Sequence, residues 1–161
     1  MDSISYVYKD YGIGYFADYS IEFEAEISAS DTGAEIDGIC ISNTIGTRAD
    51  TITANDGQTV IFWNNSGNVT IRIKDENTDI VDFYTGSGST IPHYYFRFTR
   101  SGTTLTLQIY SDSNRSVEVD TLSVVCETGT KRYLYAIMSR EDSGGGGAQV
   151  ATGYTQNLEI L

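Results

Sequence analysis

Three glutamates, Glu22, Glu24 and Glu26, alternate with apolar residues in the segment 19–29. In an extended strand, carboxylates two positions apart are separated by about 6.5 Å and carboxylates four positions apart by about 13 Å. Two carboxylates at such separations could flank a glycosidic bond, one as the acid and the other as the nucleophile. The same alternation is also the polar side of a half-buried strand that performs no chemistry. We prefer the second interpretation, because nothing in the sequence marks one of these carboxyl groups as buried.

A second group of candidate residues lies on a predicted hairpin that spans residues 94–110. A turn at residues 101–102 pairs Phe98 with Leu105 and places the apolar side chains on one face. The opposite face carries His93, Tyr95, Arg97, Thr106, Gln108 and Tyr110. Aromatic rings between hydrogen-bonding side chains form the kind of surface that stacks on sugar rings and reads their hydroxyl groups. Cross-strand aromatic pairs also stabilise sheets without any ligand, so both interpretations are open.

On this hairpin face we assign separate roles to the candidate residues. Tyr95 and Tyr110 are the predicted stacking rings, since an aromatic ring covers the apolar side of a sugar. Arg97 and Gln108 are the predicted readers of sugar hydroxyl groups, because both carry several N–H donors. His93, the only histidine, is predicted to be structural at the start of its strand.

Further aromatic candidates come from two other strands. In the segment 60–73, a turn centred on residues 66–67 leaves Trp63 on the face opposite the core, where it is a third predicted stacking ring. The strand that contains Tyr133 and Tyr135 is apolar on both sides, which predicts a central strand. Its tyrosine side is either part of the core or the floor of a shallow groove that binds carbohydrate.

Oxygen-bearing side chains stand at alternate positions at Asp75, Asn77 and Asp79. Carboxylate and amide oxygens suit a hard cation such as Ca²⁺, although a solvated acidic turn has the same composition. An EF-hand is excluded because Ile80 stands where that motif needs glycine. One histidine and two dispersed cysteines cannot form a zinc site. We therefore predict no required cofactor, with Ca²⁺ at these three residues as the open alternative.

Strands must position all of these candidates, because two-residue alternation recurs along the chain with no convincing helical period between. The candidate strands are residues 4–9, 19–29, 34–43, 60–64, 69–75, 80–84, 94–100, 103–110, 117–125, 132–139 and 151–160. Their number and even spacing are typical of an all-β fold, an antiparallel sandwich of two sheets. A chain of 161 residues fits a single domain, residues 1–161.

Composition limits the partners and the location. The formal net charge is −12 and the isoelectric point is about 4.2, which argues against nucleic acid and anionic membranes as partners. The first residues lack the basic and apolar regions of a signal peptide, and no apolar run predicts membrane insertion. We predict a virion-associated or extracellular location. Cys40 and Cys126 lie in apolar strands and are interpreted as buried thiols rather than a disulfide.

The whole chain resembles a concanavalin A-like lectin/glucanase jelly roll of the laminin-G-like kind found in phage and bacterial surface proteins. Three segments carry the resemblance: residues 8–16 leading into the glutamate-rich strand, the hairpin of residues 96–112 with its Arg-Ser-Gly-Thr-Thr sequence, and the closing residues 153–160. The resemblance implies two antiparallel sheets with the ligand on a concave face or at rim loops. It is specific for the fold rather than for the function.

Three functions are compatible with this resemblance. The first, which we predict, is a non-catalytic, lectin-like adhesion module that binds a glycan or polysaccharide, and hence no enzyme. The second is a structural capsid or fibre domain whose aromatic residues are buried against neighbouring subunits, and the oligomeric state is open. The third is a glycoside hydrolase that uses Glu22 and Glu26. Glucanases of this superfamily have a Glu-x-Asp-x-Glu strand that resembles residues 22–26. This chain has Glu24 at the central position, where the glucanases have aspartate.

Overall fold

Two antiparallel β-sheets pack face to face in the computed structural model, which describes residues 6–140 and 150–161. The strands are β1 (Tyr6–Asp10), β2 (Tyr19–Ser30), β3 (Glu35–Ser42), β4 (Gln58–Asn65), β5 (Asn68–Asp75), β6 (Ile80–Thr85), β7 (Ile91–Ser101), β8 (Thr104–Tyr110), β9 (Glu118–Val125), β10 (Tyr133–Arg140) and β11 (Ala151–Ile160), and a short helix, α1, spans Arg48–Thr53. The strand order is β1-β10-β3-β4-β5-β6 in the six-stranded sheet and β11-β2-β7-β8-β9 in the five-stranded sheet. The predicted two-sheet β-sandwich is confirmed. Residues 4 and 5 of the first predicted strand lie outside the described residues.

The core between the sheets follows from the alternation in β2. Phe23 of β2 is fully buried and stacks on Phe96 of β7, with 4.8 Å between the ring centroids. Phe62 of β4, in the other sheet, meets the Phe96 ring edge-on at 5.9 Å. Because the apolar positions of β2 point into this core, its three glutamates lie on the opposite side, which we call the outer face of the five-stranded sheet.

Two hairpins test the predicted strand registers. The hairpin β4–β5 has the predicted register, in which Asn64 pairs with Val69. In β7–β8, Phe98 pairs with Leu107 rather than with Leu105. The prediction was wrong by two positions, which changes the pairing partners but leaves every side chain on the predicted face.

Helix α1 was not predicted from the sequence. The Thr47 hydroxyl accepts a hydrogen bond from the Asp50 backbone N–H at 3.3 Å, and the Asp50 carboxylate accepts one from the Thr47 N–H at 2.7 Å, which forms a capping box. The expectation that no helix intervenes is wrong here, because six residues are too few to show an apolar period. No helix in residues 6–140 or 150–161 is both long and apolar enough to cross a bilayer.

A smaller apolar cluster of Cys40, Tyr133 and Tyr135 lies on the side of the six-stranded sheet that faces away from the core, next to α1. Tyr135 is fully buried, and its hydroxyl donates to the carbonyl of Thr44 at 2.6 Å and accepts from the backbone N–H of Gly46 at 3.2 Å. Tyr133 is 6% exposed. The tyrosine side of β10 is therefore packed core, and the alternative of a groove floor that binds carbohydrate is wrong.

Lys131 joins the loop before β4 to the loop after β9. Its ammonium group is buried and forms ion pairs with Asp56 and Glu127. Burial favours the neutral amine, but hydrogen bonds to the two carboxylates outweigh burial and raise the pKa of Lys131 above its usual value. Burial also acts to raise the pKa of Asp56, yet the hydrogen bond and charge of Lys131 lower that pKa overall.

Replacing Lys131 by methionine is expected to lower the free energy of unfolding by about 2 kcal/mol at neutral pH, because two partly hydrated carboxylates lose their partner. A carboxyl group whose pKa is lowered by folding contributes stability above its unfolded pKa and loses it as the pH falls through the folded pKa. The difference between parent and variant should therefore be constant at neutral pH and shrink below about pH 4. Urea unfolding of parent and variant at a series of pH values measures this difference in the free energy of unfolding.

The matched control for this variant is Lys9→Met, at an exposed lysine. This control should unfold like the parent. A Lys131→Met difference that stays constant on acidification would contradict the ion-pair explanation.

Candidate active site on the five-stranded sheet

Glu24 is the centre of a hydrogen-bonded cluster on the outer face of the five-stranded sheet. It lies on β2, between β7 and β11. Its Oε2 atom accepts hydrogen bonds from His93 Nε2 at 3.1 Å and from Gln156 Nε2 at 3.0 Å. Burial acts to raise the pKa of Glu24, but hydrogen bonds from Gln156, Asn157 and His93 together outweigh it and lower the pKa below its usual value. Glu24 is therefore a carboxylate at neutral pH.

His93 is held in one orientation and one tautomer by this carboxylate. Because the Glu24 carboxylate can only accept, Nε2 of His93 is the donor in this contact, and in the neutral imidazole the lone pair is on Nδ1. The imidazole stacks on Tyr95 with 4.8 Å between centroids, and it meets Tyr154 edge-on at 5.8 Å. The His93 side chain is still 34% exposed. A ring held in this way can accept a proton from a bound molecule at Nδ1.

A β-bulge in β7 lies next to His93, which its two-residue alternation with Tyr95 already places on the outer face. Ile91 pairs with Ile27 and Tyr94 pairs with Ala25, so two residues of β7 stand opposite a single residue of β2. The extra residue lets Ile91 remain in the core while His93 points outward. Bulges re-aim side chains in this way and are frequent beside active sites.

Tyr154 on β11 is a second proton-carrying group beside His93. Its hydroxyl donates a hydrogen bond to Oε2 of Glu26 at 3.1 Å. Desolvation and this hydrogen bond raise the pKa of Tyr154 above its usual value. The phenol therefore stays protonated at neutral pH and acts as a donor. The cluster thus holds a proton acceptor and a proton donor on the two strands that flank β2.

Two guanidinium groups share the carboxylate of Glu22. Arg97 donates to Oε1 through Nε at 2.9 Å and through Nη2 at 2.7 Å. Arg115, from the loop after β8, forms an ion pair with Oε2 at 3.0 Å. Glu159 on β11 pairs with Glu22 across the sheet and is exposed, so two guanidinium groups stand beside two carboxylates at this end of the outer face.

Four of the predicted carbohydrate-binding residues lie on this outer face. Tyr95, Arg97 and Gln108 are half-buried there, next to one another on β7 and β8. Their roles in binding stay predictions. Tyr110 pairs with Tyr95 but is only 5% exposed, so the expectation that it offers a free ring is wrong.

Trp63 lies far from this cluster, on the other side of the sandwich. It is on β4 in the six-stranded sheet, and the guanidinium of Arg72 lies 3.7 Å from its ring centroid. Arg72 thus covers one face of the indole through a cation–π contact. The structure does not bring Trp63 together with Tyr95, and a binding role for Trp63 alone stays a prediction.

Two of the three predicted calcium ligands, Asp75 and Asp79, are engaged in other bonds. Asp75 is buried and accepts hydrogen bonds from the backbone N–H groups of Asn77 at 3.1 Å and Thr78 at 3.0 Å. Asp79 pairs with Lys74 at 2.7 Å. Within residues 6–140 and 150–161, no three histidine, cysteine or acidic side chains are grouped as a metal site would require. Calcium binding stays an untested prediction.

Sequence reasoning did not identify Tyr154, Gln156 and Arg115 as site residues. The alternation of Tyr154 and Gln156 along the last strand was the available signal, since it predicts that both side chains share one face. Nothing in the sequence showed that this strand pairs with β2. His93 was seen on the correct face but was assigned a structural role.

Solved structures with the same fold include enzymes that act on polysaccharides. No family model and no curated protein matches the sequence. A family 7 alginate lyase in complex with its product matches with a TM-score of 0.56 at 11% identity, over 99% of this chain and 73% of that chain. An alginate lyase from Pseudomonas aeruginosa matches with a TM-score of 0.55 at 14% identity, over 90% of this chain and 64% of that chain. A GH43 protein from Bacillus licheniformis matches with a TM-score of 0.53 at 9% identity, over 86% of this chain and 27% of that chain. The shared fold is the concanavalin A-like β-sandwich.

These matches correct two predictions from the sequence. The prediction of a non-catalytic carbohydrate-binding module is wrong, because the matched structures are lyases and a GH43 protein. The prediction that the chain is not an enzyme is wrong for the same reason. The sequence-based interpretation treated the aromatic face as a passive platform, whereas this face holds an oriented imidazole beside a phenol. For the hydrolase alternative, Glu22 is bound by two guanidinium groups and Glu26 by Tyr154, and a catalytic role for the two carboxylates stays a prediction.

Proposed function

We propose that this chain cleaves a uronate-containing polysaccharide by β-elimination on the outer face of the five-stranded sheet. The observation that carries the proposal is the cluster of Glu24, His93 and Tyr154, in which a carboxylate orients an imidazole and a phenol lies at its edge. The alginate lyases of the same fold support it, because alginate is a polymer of uronic acids.

The two proton-carrying groups match the two proton transfers of this reaction. Nδ1 of His93 takes the proton from C5 of a uronate ring, next to the carboxylate carbon. The electron pair of that C–H bond forms the C4=C5 double bond, and the bond between C4 and the glycosidic oxygen breaks. Tyr154 gives its proton to the departing oxygen. The products are one chain with a new hydroxyl group and one chain with an unsaturated end, so no co-reactant is consumed.

Removal of the C5 proton also requires that the neighbouring carboxylate be neutralised, because negative charge spreads onto it as the proton leaves. Arg97 and Gln156 present N–H donors on this face, on either side of β2. Arg97 uses Nε and Nη2 to bind Glu22, which leaves Nη1 available for a substrate oxygen. The pair therefore supplies one charged and one neutral donor beside His93.

The test is incubation of the purified chain with polymannuronate, polyguluronate, polygalacturonate and a neutral β-glucan. Ultraviolet absorbance measures unsaturated ends, and a reducing-sugar assay measures the new reducing ends that either elimination or hydrolysis produces. We expect equal numbers of both from at least one uronate polymer and neither from the β-glucan. Reducing ends without absorbance would show hydrolysis and overturn the proposal, as would the absence of cleavage from all three uronate polymers.

Replacing Tyr154 by phenylalanine is expected to lower kcat about 10²-fold, because the ring remains but no proton can reach the departing oxygen. KM should change little. Initial rates of unsaturated product measure both parameters. Tyr15→Phe, at an exposed tyrosine, is the matched control and should behave like the parent. A loss of less than threefold in the Tyr154 variant would remove the phenol from the mechanism.

The proposal includes the location and the partner predicted from the sequence. Polysaccharides of this class are found outside cells, so an extracellular or virion-associated location is part of it. A single domain over residues 1–161 is likewise proposed. The glycan partner is the substrate.

A further inference from the structure

We infer that Arg115 is a specificity-determining residue that binds an acidic group on the sugar next to the one that is cleaved. The inference rests on the proposed function, because it concerns the same outer face. It adds that the substrate carries acidic groups on consecutive sugars. The backbone and the side chain of Arg115 support it.

The loop after β8 holds Arg115 in an unusual backbone conformation. Its φ angle is +52°, in the left-handed region that residues other than glycine rarely adopt. Asp112 fixes this loop by accepting hydrogen bonds from the backbone N–H groups of Ser116 at 2.9 Å and Val117 at 2.7 Å. Strained backbone that the surroundings hold in place is concentrated at functional sites. The loop therefore delivers the Arg115 side chain to the outer face at a conformational cost.

The contacts of the Arg115 side chain do not satisfy all of its donors. The side chain is 14% exposed, its Nη1 pairs with Glu22 at 3.0 Å, and its guanidinium carbon lies 6.0 Å from the Tyr95 ring centroid. Its Nε is buried and has no hydrogen-bond partner in the described part of the chain. Buried donors are usually satisfied, so the observed contacts alone do not explain this placement. A ligand oxygen that draws the guanidinium slightly outward would supply the missing acceptor.

The unsatisfied guanidinium donor of Arg115 favours an anionic ligand at this position, because guanidinium groups form their strongest hydrogen bonds with carboxylates. Arg97 already donates two hydrogen bonds to Glu22, so Arg115 is not needed to neutralise that carboxylate. Glu22 and Glu24 are two positions apart on β2, a separation of about 6.5 Å. The Arg115 guanidinium, which contacts Glu22, therefore lies beside the His93 cluster rather than within it. An acidic group bound there belongs to a neighbouring sugar.

The test is affinity electrophoresis through gels that contain polymannuronate, carboxyl-reduced polymannuronate or hyaluronan, in which acidic and neutral sugars alternate. We expect Arg115→Gln to weaken binding to polymannuronate about tenfold or more, because a charged hydrogen bond is lost, and to leave binding to the other two polymers unchanged. Arg115→Lys should keep part of the affinity. Arg72→Gln is the matched control, since it removes the same charge beside an aromatic ring on the opposite sheet, and it should bind polymannuronate like the parent.

Kinetics separate a binding role from a structural one. Arg115→Gln should raise KM for polymannuronate about tenfold and change kcat less than threefold. An equal loss of affinity for all three polymers would show a structural role and overturn the inference, as would unchanged binding to polymannuronate. If the parent binds polymannuronate without cleaving any uronate polymer, the proposed reaction is wrong, and binding by the Arg115 variants alone still decides this inference.

Discussion

Replacing His93 by glutamine is expected to lower kcat on a uronate polymer about 10³-fold, since general base catalysis typically contributes 10²–10⁴-fold. Glutamine can still donate a hydrogen bond to Glu24, so the cluster keeps its shape. It cannot accept the C5 proton at neutral pH, because an amide nitrogen has no basic lone pair. KM should change little, and initial rates of unsaturated product measure both parameters.

The matched control for His93→Gln is Trp63→Phe, which changes a ring on the opposite sheet and should leave kcat unchanged. Urea unfolding of both variants shows that they are folded. If His93→Gln retains a tenth or more of the parent kcat, another group removes the proton. The same pair of variants tests the earlier prediction that Trp63 takes part in recognition, because a raised KM in Trp63→Phe alone would assign it such a role.

The registers of the two hairpins show how far turn chemistry can be predicted from sequence. Both turns contain a Ser-Gly pair. In the first, Ser66 and Gly67 both have positive φ, as a type I′ turn requires, so the pair occupies the turn itself. In the second, Ser101 belongs to β7 and pairs with Thr104, and Gly102 is the first turn residue with positive φ, which is the type II′ pattern. The same dipeptide thus fits two turns, and only the surrounding strands decide between them.

One half of the candidate site could be predicted and the other half could not. Tyr95 and Arg97 alternate along a single strand, so their shared face follows from the two-residue period. Tyr154 reaches Glu26 from 128 positions away in the sequence. The pairing of β11 with β2 also includes two register shifts, and a third, in the pairing of β2 with β7, lies beside His93. Alternation within one strand contains no information on such bulges.

The overall acidity of the chain was a poor guide to the charge of the site. The net charge of −12 suggests that an acidic polymer would be repelled. Charges farther away than about 8 Å are largely screened at physiological ionic strength, so the groups within the site decide binding. There Arg97 and Arg115 offset Glu22 and its cross-strand partner Glu159, and Glu24 is hydrogen-bonded by a histidine and an amide. Local pairing therefore accommodates an anionic substrate within an acidic protein.

Replacing Gly153 by alanine is expected to lower kcat about 10³-fold, with most of the sandwich still folded. A Cβ atom at this position would lie 2.1 Å from the carbonyl oxygen of Glu26 and 3.0 Å from Cδ1 of Ile27. The carbonyl belongs to the backbone of β2, so the clash is relieved only if β11 moves away from β2. Since β11 is the edge strand of its sheet, it can move without opening the core between the sheets.

The displaced part of β11 carries Tyr154 and Gln156, so the acid and the amide donor leave the site together. For this reason the loss should exceed that of Tyr154→Phe. Hydrogen exchange measured by mass spectrometry should become faster in residues 151–156 and stay unchanged in β7 and β8. Gly129→Ala is the matched control, because its added Cβ would meet no atom nearer than 4.0 Å, and it should keep the parent activity. If Gly153→Ala is more active than Tyr154→Phe, close pairing of β11 with β2 is not what positions the phenol.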